Sequence, residues 1–118
     1  MEIKQIADRI EEKIKLLAKI RGVIKSRAED KAKSSAGYDK KIAITIMSLQ
    51  AGKEVELEGE KIQSPPATIT EKIAKGVCWE EKLEMDKAEA LYKCAISNIN
   101  SVSSELNGLQ SIFRWLDE

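Results

Sequence analysis

Five residues are the best candidates for chemistry in this chain: Thr68, Thr70, Lys72, Lys75 and Trp79. They lie in the stretch from Pro65 to Trp79, where two prolines block helix and an amphipathic pattern then begins. Backbone N–H groups at a helix start favour anions, and the two lysines add positive charge beside two hydroxyls. Such a set could hold a phosphate or an anionic nucleotide. The same residues also read as an ordinary helix start. Thr68-Ile69-Thr70-Glu71 has the spacing of a capping box, and Trp79 then falls in the core.

Other chemistries are excluded by residue type. There is no histidine, so neither a Ser-His-Asp nor a Cys-His pair can form. Glu80, Glu81, Glu84, Asp86 and Glu89 cluster, but without a Glu-x-x-His motif they do not build a di-iron centre. The six glycines stand apart and form no phosphate-binding loop. Cys78 and Cys94 have no metal-ligand spacing. On one helix they would lie about 24 Å apart, too far to bridge, so reduced and packed thiols are expected. No catalytic residue, cofactor or metal is expected, and the chain does not read as an enzyme. Met1-Glu2-Ile3-Lys4 leads straight into an amphipathic pattern with no signal peptide, and no long apolar window suggests a membrane span.

The elements that position these residues follow from the rhythm of apolar side chains. Ile3, Ile6, Ile10, Ile14, Leu17, Ile20 and Ile24 recur every three or four positions, which predicts an amphipathic helix. The rhythm thins around Gly37, resumes at Tyr38, Ile42, Ile46 and Leu49, and stops at Ala51-Gly52. Val55, Leu57 and Ile62 then alternate with charges around Glu58-Gly59, which predicts a small β-hairpin. A second helical rhythm starts at Ile69 and Ile73 and continues from Met85 through Ala88, Tyr92, Ala95, Ile99, Val102, Leu106, Leu109 and Phe113 to Leu116. The fold class is therefore all-α. It is one domain: an arm over 2–51, an extended tip over 52–66 and an arm over 67–117, forming a long antiparallel helical hairpin.

Arms of this length leave apolar surface uncovered in a lone hairpin. Breaks near Gly37 and Gly76 would fold the chain into a compact four-helix bundle. Otherwise copies associate into an oligomeric helical bundle or coiled coil, and the width of the stripes favours this second solution. Trp115 and Arg114 fit an interface anchor or an end plug. Charge is zero overall but unevenly spread. Residues 1–41 hold 12 Lys/Arg against 7 Asp/Glu, and the remainder 8 against 13. Opposite signs can attract within a folded hairpin or between protomers. Alternatively, Lys25, Arg27, Lys31 and Lys33 form a basic stretch for single-stranded DNA.

The run from Pro65 to Trp79, continuing into Met85-Asp86-Lys87-Ala88-Glu89-Ala90-Leu91-Tyr92-Lys93, resembles segments of small uncharacterised helical proteins encoded by phages and prophages of Gram-positive bacteria. The resemblance covers the C-terminal half and carries no functional motif, so it assigns no site residue. It implies a setting: the cytoplasm of a bacterial host cell, a mobile element, and either DNA recombination or interference with host defence. The leading expectation is a non-enzymatic binding protein that contacts itself and another protein, such as a host-defence factor it inhibits. The alternatives are an oligomer that sequesters an anionic nucleotide and a single-strand DNA recombination accessory factor.

Overall fold

The computed structural model describes residues 2–117. Helix α1 runs Ile3–Gln50, strands β1 and β2 run Val55–Leu57 and Glu60–Ile62, and helices α2 and α3 run Thr70–Val77 and Trp79–Asp117. Among the described residues the chain is all-α apart from one two-stranded antiparallel hairpin. The connectivity is that of a helical hairpin, with the strands in the reversal. Contacts divide the chain into two units. A terminal unit holds the described residues up to Glu29 and from Ala90 onward, and a central unit holds Asp30–Glu89.

In the terminal unit the first part of α1 packs antiparallel on the last part of α3. Lys13 lies opposite Glu105, with Nζ and Oε2 2.5 Å apart. Further along α1, Leu17 and Ile20 meet Val102, one turn back along α3, with Ile24, Ile99 and Leu106 around them. These positions step by three and four, which keeps one seam of each helix facing the other. Ile6 is also fully buried. Ile3 and Ile14, expected in the same stripe, remain about half exposed. One neighbouring helix covers only part of a helix circumference, so the edges of a wide stripe stay in solvent.

The central unit contains the reversal. Helix α1 stays unbroken through Gly37, where the sequence left open whether the helix breaks. A single glycine costs a helix only about 1 kcal/mol, too little to break one held by packing. α1 ends in a Schellman motif: Gly52, at φ +77°, donates to the Leu49 carbonyl, and Lys53 N–H reaches the Ser48 carbonyl. The hairpin forms as expected, pairing Val55 with Ile62 and Leu57 with Glu60. Its two-residue turn places both Glu58 and Gly59 at positive φ (48° and 80°), the type I′ geometry that suits twisted strands. A three-residue pair is too short to stand alone. Strand β1 accordingly packs on α2, where the Leu57 side chain lies 3.5 Å from the place a Cβ on Gly76 would occupy.

The second arm is interrupted at Cys78, two residues after Gly76. Cys78 adopts φ −94° and ψ 25°, yet its N–H still reaches Ala74 and its carbonyl still accepts from Lys82. The helix therefore stutters for one residue without losing its hydrogen-bond chain. The start of α2 differs from the expected capping box. Its N-cap is Ile69, with helical backbone angles and no side-chain cap. The Pro66 carbonyl instead accepts the Ile69 N–H at 3.0 Å and the Thr70 hydroxyl at 3.2 Å. The turn that follows the two prolines brings that carbonyl over the first turn, which leaves Thr68 exposed. Among the described residues no helix is long and apolar enough to cross a membrane.

Candidate functional site

The five candidate anion-binding residues are spread over the turn before α2, α2 itself and the start of α3. Thr68 and Lys72 are exposed. Thr70 is buried, and its hydroxyl is engaged with the Pro66 carbonyl. Lys75 pairs with Glu71 one turn back at 3.3 Å. Trp79 is 54% exposed, which overturns the expectation that it lies in the core. It starts α3 immediately after Cys78, and one residue's rotation, about 100°, takes the indole off the side that buries the thiol. Leu83, one turn further, is 56% exposed. Two large apolar side chains thus share one solvent-facing side of α3.

Beneath this surface the central unit is held by small and polar groups. Cys78 is fully buried, with its sulfur 3.6 Å from the Thr45 hydroxyl. Thr45 Oγ1 also donates to the Lys41 carbonyl at 2.7 Å, so the hydroxyl stays satisfied inside its own helix. Cys94, expected to be packed, is exposed on α3. Lys41 Nζ donates to Glu81 Oε1 at 2.5 Å. That bond holds the Glu81 carboxyl below the usual carboxylate range, and it raises the Lys41 ammonium above its ordinary value. Nearby, Lys82 sits 5.7 Å from the centre of the Tyr38 ring and 3.1 Å from Asp86. A cleft of about 230 Å³ between Gly37, Tyr38, Glu80 and Glu84 is acidic at its rim. Among the described residues no three Cys, Asp or Glu side chains converge well enough to hold a metal ion.

Open clefts lie along the terminal unit among the described residues. One, of about 500 Å³, lies between Ala7 and Ile10 on α1 and Gln110, Phe113 and Arg114 on α3. A second, of about 370 Å³, is lined by Arg9, Lys13, Glu105, Gly108, Leu109 and Ile112. A third, of about 320 Å³, is lined by Val23, Arg27, Leu91, Cys94, Ala95 and Asn98. None of these clefts, nor the acidic one, includes any of the five candidate residues.

The chain matches no protein-family model, no curated protein and no solved structure. Its own geometry therefore carries the functional argument. Among the described residues that geometry offers exposed apolar faces and open clefts. Sequence reasoning missed two of these features. The exposed Trp79–Leu83 pair was hidden because their spacing equals that of a core stripe. The clefts of the terminal unit were hidden because Val23, Cys94 and Gly108, which line them, fall outside the main apolar rhythm.

Proposed function

We propose that this protein works by binding, without catalysis of its own, through the apolar faces of its helices. The observation that carries the reading is the exposed Trp79–Leu83 pair on α3. Half-exposed tryptophan and leucine one turn apart are a poor use of apolar surface in a free chain and a good anchor for a partner. Two further apolar residues, Ile44 and Met47, are exposed on α1 in the same unit. The partner class is another protein, and the resemblance to phage and prophage proteins suggests a host-defence factor that the chain inhibits. A second copy of the chain is a partner of the same kind.

The nucleotide-sequestering alternative draws less support, since Thr70 is buried and bonded and Lys75 is paired with an acid. The single-strand DNA alternative gains nothing specific either. Lys25 and Lys33 are exposed, while Arg27 and Lys31 are half-buried.

The test is affinity capture from a Gram-positive host with wild-type chain and with Trp79→Ala/Leu83→Ala. Both side chains are about half exposed, so the variant keeps its helical circular dichroism. A specific host protein recovered by wild type and reduced on the order of 30-fold with the variant is the expected result. Equal recovery by both chains, or no protein enriched by wild type, overturns the proposal.

A further inference from the structure

The Trp79–Leu83 pair does not stand alone on α3. Glu80 and Glu84 follow it by one position each, so a row of two carboxylates runs beside the apolar row, about 100° further round the helix. Both carboxylates are exposed, and among the described residues neither enters an ion pair. The cations nearby are committed to other acids, Lys41 to Glu81 and Lys82 to Asp86. Over residues 79–89 five acidic side chains stand against two lysines.

Folding alone does not call for this arrangement. Like charges four positions apart on a helix repel, at a small cost in stability. A free helix N-terminus would offset that cost. Here, however, hydrogen bonds run on from α2, from the Cys78 N–H to Ala74 and from the Lys82 N–H to the Cys78 carbonyl. Helix α1 brings no cation to the cleft beside Glu80 and Glu84, which Ser34, Gly37 and Tyr38 line on its side. Glu81 lines the same cleft, and its Oε2 is buried without a hydrogen-bond partner among the described residues. This flank of α3 thus lacks both positive charge and a donor.

We infer that the start of α3 docks a basic amphipathic helix of another protein, with apolar side chains on Trp79 and Leu83 and arginine or lysine on Glu80 and Glu84. The inference rests on the binding reading above and gives the partner its chemistry. Charge selects the sign, since nucleic acid or an acidic lipid surface would be repelled by the same carboxylates. Geometry selects the helix. Side chains four residues apart form ridges, and such ridges pack into the grooves of a second helix. An extended segment laid on α3 would leave its own backbone N–H and C=O groups without partners, because α3 uses its backbone groups internally. Arginine suits the acidic row better than lysine, because its planar fork serves two carboxylate oxygens at once.

A pair of labelled synthetic peptides supplies the test. Each has about 18 residues, enough to form a helix, with leucine on one face and either arginine or glutamate on the other. Fluorescence anisotropy should show binding of the arginine peptide, weaker at high salt, and none of the glutamate peptide. Glu80→Gln/Glu84→Gln should weaken that binding about tenfold, and Trp79→Ala by a similar factor, with circular dichroism unchanged. Glu56→Gln/Glu60→Gln removes the same charge from exposed positions of the β-hairpin and should change nothing. An equal loss in the hairpin variant would show that bulk charge draws the peptide, and overturns the inference. Equal binding of both peptides overturns it too, leaving Trp79 as an anchor without preference for charge. Self-association of the chain that Glu80→Gln/Glu84→Gln abolishes would put a second copy on this face, and equally overturns it. Failure of the arginine peptide to bind removes the basic partner, while capture of a host protein through Trp79 still decides the apolar reading by itself.

Discussion

The terminal and central units draw on the same two long helices, yet they are held together by different means. The terminal unit relies on branched aliphatic side chains: Leu17, Ile20 and Val102 form its buried cluster along regular, uninterrupted helix. The central unit buries Thr45, Thr70, Ala74 and Cys78, all small, beside Leu49. It also contains every described residue at positive φ, namely Gly52, Glu58, Gly59 and Ser64. Where helices have only each other, apolar area must supply the stability. Where the chain reverses, backbone hydrogen bonds and close fit of small groups fix the path, and bulk would obstruct it.

Substitutions can break or sharpen this contrast. The largest effect is expected at Ile20, 5% exposed in the terminal cluster. Ile20→Ala should lower stability by about 2–4 kcal/mol in urea unfolding, because it removes aliphatic area and leaves a cavity. The central unit should fail in the opposite direction, through added volume. Cys78→Leu should cost about 1–3 kcal/mol by overpacking, because Cys78 is 0% exposed with the Thr45 hydroxyl against its sulfur. If Cys78→Leu instead raised the urea midpoint, the picture of a tightly filled reversal would be wrong.

The smallest effect belongs to pH. Glu81 titrates below its ordinary 4.5 in the folded chain, so its contribution is present above that value and lost as pH falls through the lower folded value. Lys41 titrates above 10.5, so its contribution is complete below that value and lost as pH rises through the higher folded value. Lys41 is about half exposed, and solvent screens the pair. Thermal melts of wild type should therefore fall slightly more steeply than those of Glu81→Gln as pH drops through the carboxylate range. Identical acid limbs would show that the pair contributes nothing.

Periodicity made the helices legible, and alternation around Glu58-Gly59 made the hairpin legible. Both signals are local, since one residue's face follows from its neighbours' spacing. The depth of burial was not legible. Ile6 and Ile14 look alike in the sequence, yet one is 1% exposed and the other 52%. That difference depends on where α3 lies, which no local pattern encodes. The N-terminus of α2 misled for a related reason. Thr68 has the right spacing for a cap, but the path out of Pro65-Pro66 delivers a backbone carbonyl to Thr70 instead. Of the five candidate site residues, only Trp79 belongs to the surface now proposed to act, and it does so as an apolar anchor and not as a ligand group.

The Schellman turn at Gly52 has a consequence for the order in which the chain acquires its form. It and the hairpin need only residues close in sequence, so they can arise before any long loop is closed. Lys13 and Glu105, by contrast, must find each other across most of the polypeptide. The entropy lost in that search grows with the length of free chain between them. Once Thr45 and Cys78 are already together, most of that length is no longer free. The reversal thus shortens the loop that remains to be closed before the two ends of the sequence meet.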